Sequence, residues 1–330
     1  RRRFCPACQP HGGRTPDLSI REGADKARWS CFKCGQHGDA ADLIRLATGC
    51  EAREAFERLS AFVGEPVARR ETRPTATAPV ADPAKVLSAF LELCAPVGGT
   101  PTDSYWSGRG IPASLLDSLG VRHCAARSYR AIHNGLVERF GVESLTGAGL
   151  APVSRDKGRA YPLGWAFEKA GVDFCVLPYV EGGRPVALKL RPLCGKADAE
   201  RLGIPRFVAT AREVGIYNAD VLTGKPERVL VCEGESDCLT ALACGFPAVG
   251  IPGARAFKPQ WGERFRGVAD AVLLFDADKG GREGAAHVAD IFRKAGLPAP
   301  RIARLPEGAD LSDFLSDTRA IRASLASSSG

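Results

Sequence analysis

Apolar residues recur along this chain with two different periods, and the change from one to the other marks out its elements. Over residues 226–318, short continuous runs alternate with helical patterns. The runs at 228–232, 248–251, 271–275 and 301–305 predict strands buried on both faces of a parallel sheet. Helices are predicted between them over 237–244, roughly 259–266 and 284–295, the first and last closed by Gly245 and Gly296. Such a β-α-β-α-β-α-β order implies a parallel sheet with right-handed crossovers. Upstream, 174–180 and 186–191 alternate like two strands around a Glu181-Gly182-Gly183 turn. Helical spacing predicts a segment capped by Asp39 and closed by Gly49, with Leu43, Ile44, Leu46 and Ala47 on one face. It continues in Ala52, Ala55, Phe56, Leu59, Phe62 and Val63, and returns in Val86, Phe90, Leu91 and Leu93. Leu115, Leu116 and Leu119 mark a further helix, entered through residues 105–112.

From Glu65 to Lys85 no period survives. Pro66, Pro74, Pro79 and Pro83 predict an extended, semi-rigid tether. The expected organisation is therefore a module at 1–64, a linker at 65–84, a mixed region at 85–225, the parallel-sheet module at 226–320 and a tail at 321–330. A chain of 330 residues is long enough for two or three cores. No run of about 18 apolar residues and no signal-peptide pattern occurs. The start at Arg1-Arg2-Arg3, without Met, reads as a processed product or a piece of a longer protein.

Formal net charge is +7, but the balance changes along the chain. Residues 1–63 hold 11 basic and 8 acidic side chains, whereas 226–330 hold 13 and 14. The positive excess thus lies outside the parallel-sheet module, as a polyanion-holding surface beside a metal site requires. Twelve cysteines without a secretory segment argue for a reducing compartment and metal binding rather than disulfides. Four of them, Cys5/Cys8 and Cys31/Cys34, form two CxxC knuckles with the spacing of a zinc ribbon, four thiolates around one tetrahedral structural ion. Arg14, Lys26, Arg28, Trp29 and Lys33 around the ribbon are candidates for single-stranded nucleic acid, by phosphate pairing and base stacking. Trp29 reads equally as a packing residue.

Acids gather at the predicted strand ends. Glu233-Gly234-Glu235-Ser236-Asp237 follows the first strand and Asp276-Ala277-Asp278 the third, while Asp310 and Asp313 follow the fourth. Ligands of open α/β sheets bind beyond the carboxyl ends of the strands. Carboxylates meeting there repel one another unless divalent cations neutralise them, which points to Mg²⁺ or Mn²⁺ and phosphoryl chemistry. Lys189 and Arg191 on one strand face, with Arg206, suit a groove that grips phosphates.

Glu233-Gly234-x-x-Asp237, Phe275-Asp276-x-Asp278-x-x-Gly281 and the later Asp310/Asp313 resemble the TOPRIM domain of bacterial-type primases, topoisomerases and some nucleases. With the ribbon in front, and with Arg109-Gly110-Ile111, Leu177-Pro178-Tyr179 and Leu188-Lys189-Leu190-Arg191, the chain resembles a DnaG-type or phage-type primase. Cys5/Cys8 follow phage and mobile-element primases, since DnaG proteins usually carry a histidine in the first knuckle. The Asp310-x-x-Asp313 spacing is wider than the family's final acidic pair.

The resemblance implies a multidomain α+β protein: a zinc ribbon with helices, a proline-rich linker, and a mixed α/β core containing a Rossmann-like TOPRIM module. It implies RNA primer synthesis on single-stranded DNA from nucleoside triphosphates, in the cytoplasm of a bacterial cell, from a phage or plasmid gene, beside a replicative helicase. Glu233, Asp276 and Asp278 are then the expected catalytic residues, with Asp237, Asp310 and Asp313 as further magnesium ligands. Glu233 completes the metal site or helps deprotonate the attacking 3′-hydroxyl. Lys189, Arg191 and Arg206 hold template or nucleotide phosphates, and Lys279 and Arg282 lie beside the metal. The rival readings are a TOPRIM nuclease and a non-catalytic zinc-dependent DNA-binding protein. Gly224-Lys225 is followed by Pro226, so no P-loop supplies a helicase motor within this sequence.

Overall fold

The computed structural model describes residues 2–21, 28–63, 80–151, 162–211, 213–276 and 278–303. The chain divides into two compact units, Arg1–Ala78 and Pro79–Gly330.

In the first unit, β1 (Arg2–Arg3), β2 (Leu18–Arg21), β3 (Arg28–Cys31) and β4 (His37–Gly38) form an antiparallel sheet in chain order. Two helices follow, α1 (Ala40–Thr48) and α2 (Ala52–Val63). Asp39 caps α1 through a capping box with Asp42, and Gly49 ends it in a left-handed conformation. The core is small. Cys5, Leu18, Trp29 and Cys31 are buried, with Ile20, Leu43 and Leu46 packed against them. Helix α2 keeps the predicted period but contributes only Ala55 to the buried set. Phe56 and Phe62, expected on its apolar face, are 50% and 89% exposed, because so small a core has no second layer to cover them.

The second unit opens with α3 (Pro83–Leu93), α4 (Pro101–Ser107) and α5 (Ala113–Ser118). Pro83, expected in the tether, is the first residue of α3, and Asp82 caps that helix through the Ala84 N–H. The described residues 80–84 therefore include a helix start, while 65–79 lie outside the described residues. Next come β5 (Arg122–Cys124), α6 (Ala126–Gly147, broken at Gly141), α7 (Trp165–Ala170), β6 (Phe174–Glu181), β7 (Arg184–Pro192), α8 (Lys196–Leu202) and β8 (Val208–Ala209). Strands β5-β6-β7-β8 make an antiparallel sheet, and β6 and β7 form the predicted hairpin.

The chain then enters β9 (Arg228–Cys232), α9 (Glu235–Ala243), β10 (Ala248–Gly250), α10 (Pro259–Gly262), β11 (Asp270–Leu274), α11 (Lys279–Lys294) and β12 (Arg301–Ile302). These strands are all parallel, in the order β10-β9-β11-β12. Helices α9 and α11 begin two and five residues earlier than the sequence pattern places them, so Glu235 and Asp278 belong to helix starts rather than to loops.

Alternate residues of β9 serve two cores. Leu230 and Cys232 join Trp106, Leu116, Leu177, Tyr179, Cys238 and Leu239. Val229 and Val231 join Phe257, Trp261, Phe265 and Phe292 on the other face. A third cluster, including Phe90, Tyr129, Leu136, Phe174 and Leu190, covers the far side of the antiparallel sheet. Both sheets therefore share a core, with full burial of each Val or Leu side chain contributing about 1.5–3 kcal/mol. No helix among the described residues is long and apolar enough to cross a membrane.

The start of the parallel sheet is locked by charge. Asp270 at the head of β11 accepts hydrogen bonds from Arg228 of β9 (2.5 Å) and Arg301 of β12 (2.8 Å). Burial alone would raise its pKa, but the two guanidiniums hold it below the ordinary carboxylate value. A depressed folded-state pKa gives stability that is present above the unfolded carboxylate value and is lost as pH falls through the folded one. Asp270→Asn is therefore expected to lower unfolding free energy by about 1–2 kcal/mol at neutral pH. In urea denaturation across pH, the gap between variant and wild type should close as Asp270 protonates.

Candidate active site and metal centre

Parallel pairing aligns Cys232 with Leu274, so the chain leaves β9 and β11 at one edge of the sheet. Glu233 stands one residue past β9 and Asp276 two past β11. Glu233 is half-buried and Asp276 exposed. Asp237 lies in the first turn of α9, half-buried. Asp278 is the N-cap of α11, accepting the Gly281 N–H at 2.7 Å.

Close backbone approach sets this edge. A Cβ on Gly250 would fall 2.7 Å from the Gly234 carbonyl oxygen, and one on Gly281 would fall 2.1 Å from that of Asp276. Only glycine lets β10 and α11 come so near the two acidic turns. The four carboxylates share the edge without converging as tightly as the four thiols do. Their donors are hard oxygens, and Mg²⁺ takes one or two carboxylates with water and substrate phosphates making up the rest, so the set fits such an ion. Asp310 and Asp313 lie outside the described residues.

Beside this edge is a cavity of about 400 Å³ whose lining includes Tyr105, Arg109, Lys189, Arg191, Lys196, Arg206, Phe207 and Glu235. Strand β7 sends Lys189 and Arg191 to the same side, as the sequence period requires. Their situations differ. Lys189 Nζ meets Glu235 Oε1 at 2.7 Å and Oε2 at 3.0 Å, and lies 4.1 Å from the Phe207 ring centroid. The Tyr179 hydroxyl also donates to Glu235. Burial, then the Glu235 charge, pushes the Tyr179 phenol upward, so it stays a donor. Arg191 instead donates to the neutral Ser236 hydroxyl at 3.0 Å and approaches the Tyr105 and Trp106 rings. Arg109 lies 4.0 Å over Tyr105.

Arg206 lines the same cavity. Arg109, Lys196 and Phe207 line the cavity without having been named as binding residues from sequence, and Glu235 was read there only as one acid of the cluster after the first strand. Of the first three, Arg109 carried a signal, its place in Arg109-Gly110-Ile111. Lys279 and Arg282 sit in the first turn of α11, exposed, with Lys279 3.8 Å from Glu283.

In the first unit the Sγ atoms of Cys5, Cys8, Cys31 and Cys34 lie within 4.8 Å of one another. Cys5 to Cys34 measures 3.7 Å and Cys8 to Cys31 3.6 Å. Tetrahedral zinc with Zn–S bonds of about 2.3 Å sets its sulfurs about 3.8 Å apart, so the cluster has metal-binding geometry. Desolvation, then the neighbouring thiols, pushes Cys8 up to about 12, while the Cys34 and Lys33 backbone N–H groups help bring Cys31 down to about 7. Trp29 is 5% exposed and donates its indole N–H to the Asp39 carbonyl at 2.7 Å, which makes it the packing residue. Phe32, at the tip of the second knuckle, is 66% exposed with Arg2 over its ring. Arg14, Arg28 and Lys33 are exposed, and Lys26 lies outside the described residues.

Residues 230–315 match the family described as Toprim-like. The chain is 39% identical over 100 residues to the gene 57 protein of Mycobacterium phage D29, a stretch covering 30% of this chain and 62% of that protein. It is 25% identical over 327 residues to the DNA primase of Chlamydia muridarum, covering 94% of this chain and 51% of that protein. The chain thus spans about half the length of that primase. The zinc-binding and RNA polymerase domains of Aquifex aeolicus primase share the fold, with a TM-score of 0.58 and 18% identity over 97% of this chain and 77% of theirs. The acidic strand ends, the sheet order and these likenesses agree: the chain contains a Toprim-like region and is similar in sequence to DNA primases and in fold to the DnaG-type primase structures.

Proposed function

We propose that this chain synthesises short RNA primers on single-stranded DNA by metal-dependent nucleotidyl transfer, as a primase of phage or mobile-element type. One observation carries the reading: acids follow the neighbouring strands β9 and β11, and Glu235, at the turn after β9, lines a cavity together with Arg109, Arg191, Lys196 and Arg206. Polymerisation needs both halves, carboxylates for divalent ions and cations for phosphate chains. Asp276 and Asp278, with Glu233 and Asp237 opposite, would hold Mg²⁺ or Mn²⁺, and Asp310 and Asp313 are proposed to join them. Bound there, the ions supply charge neutralisation at the reacting phosphate.

Arg191 and Arg206 hold the phosphates of template or incoming nucleoside triphosphate, while Lys279 and Arg282 add positive charge beside the acids. Glu233 completes the metal site or takes the proton of the attacking 3′-hydroxyl. In the first unit the four thiolates hold one zinc ion that folds the ribbon. The ribbon then offers single-stranded DNA the Phe32 ring for base stacking and Arg14, Arg28 and Lys33 for phosphates. The work belongs in a bacterial cytoplasm beside a replicative helicase.

Labelled nucleotide incorporation on single-stranded templates tests this reading. Mg²⁺- or Mn²⁺-dependent, template-dependent product is expected, and Glu233→Gln and Asp276→Asn should each cut it by about 10²-fold or more. Full synthesis by both variants would refute the mechanism; DNA cleavage without nucleotides would favour the nuclease reading. The ribbon is tested by oligonucleotide binding. Phe32→Ala should weaken it by about 1–3 kcal/mol with zinc content unchanged. Cys5→Ser or a strong chelator should remove the zinc and the binding together.

A further inference from the structure

We infer that Lys189 is not a phosphate grip but one half of a charge-compensated brace, with Glu235 as a positioning residue that fixes the acidic edge against the phosphate cavity. The inference rests on the primase reading only for its kinetic consequence. Both side chains are largely withdrawn from water, at 12% and 8% exposure. The ammonium group meets both carboxylate oxygens and lies over the Phe207 ring. On its other side the carboxylate accepts the Tyr179 hydroxyl. A phosphate arriving at Lys189 would have to displace a buried carboxylate already bound through two oxygens. Like charges would meet if that carboxylate stayed.

Among the described residues, the other cations of the cavity have no such carboxylate partner. Arg191 is bonded to a neutral hydroxyl and keeps its charge for a ligand. Lys196 and Arg206 form no ion pair among the described residues. Phosphate recognition therefore falls to Arg191, Lys196 and Arg206.

The brace has a positional consequence. Residues 189 and 191, alternate on β7, bond to residues 235 and 236, consecutive at the start of α9. Glu235 lies midway between Glu233 and Asp237 in sequence, so holding it holds the turn from which both project. The Glu235 carboxylate also suits the positive end of α9, being the first residue of that helix. Breaking one side of a buried pair leaves an uncompensated charge, whereas replacing both sides with uncharged groups of similar volume is tolerated.

The test uses the full chain as wild type, Lys189→Met, Glu235→Gln, the Lys189→Met/Glu235→Gln double variant and Arg206→Met. Three readouts are thermal melting, oligo(dT) affinity against KCl concentration, and KM for ATP during incorporation on an oligo(dT) template. Lys189→Met should melt lower and bind phosphate ligands about tenfold more weakly, because it leaves a bare carboxylate at the cavity. The double variant should recover both melting and affinity to within about threefold of wild type, with its salt slope unchanged.

Arg206→Met should lose about 0.7 from the log–log salt slope if the cavity takes DNA phosphates, or raise only KM for ATP if it takes the triphosphate. The inference is overturned if the double variant stays as weak as Lys189→Met, loses about 0.7 from the slope, or fails to fold. Wild type that binds DNA in this pattern yet incorporates no nucleotide would refute the primase reading and leave the brace standing.

Discussion

Everything at the candidate active site depends on β9 and β11 being immediate neighbours in a parallel sheet. Parallel strands leave a sheet at the same edge, and the register of Cys232 with Leu274 brings the turns after both strands side by side. Had the order followed the chain, β10 would separate them. Burial of both faces holds the pair in place, with Leu230 and Cys232 in one core and Val229 and Val231 in the other. A one-residue slip would exchange the two sets, so the register of the acids is secured by apolar packing rather than by the acids. Asp270, held by Arg228 and Arg301, adds a charged anchor at the opposite edge.

The antiparallel sheet contributes the positive side of the site. Its strand β7 faces α9 with a lysine and an arginine that use their charges differently, one neutralised by Glu235 and one available beside Ser236. The same strand thus works as scaffold and as binding surface. Shared packing of Leu177 and Tyr179 with Leu230 and Leu239 makes the two sheets a single body, which a site built from both requires.

Much of this was legible in the sequence where local pattern and chemistry coincide. Continuous Val/Leu runs ending in acids marked the two central strands of the parallel sheet, β9 and β11, and the CxxC spacing marked the four-thiol cluster. Helix α6 was not legible. Gly141 breaks it, Gly135 lowers its helical propensity, and its first turn is capped by Asp173, far along the chain, which accepts the Ala126 N–H at 2.8 Å. Phe56 and Phe62 followed a true helical period, but a period does not reveal that the core beneath it is too small. Trp29 and Phe32 were separable only by burial. Glu235 looked like one more acid between Glu233 and Asp237, and Lys189 like a partner of Arg191; only the tertiary contact tells them apart.

The central claim is that Glu233 and Asp276, brought together by strand pairing, form one divalent-cation site. Anomalous diffraction from crystals of the chain soaked in MnCl₂ tests it without relying on turnover. The account predicts a manganese peak about 2.0–2.3 Å from carboxylate oxygens of both residues, lost in Asp276→Asn. No peak at that edge, or one that touches neither carboxylate and survives the substitution, would contradict it.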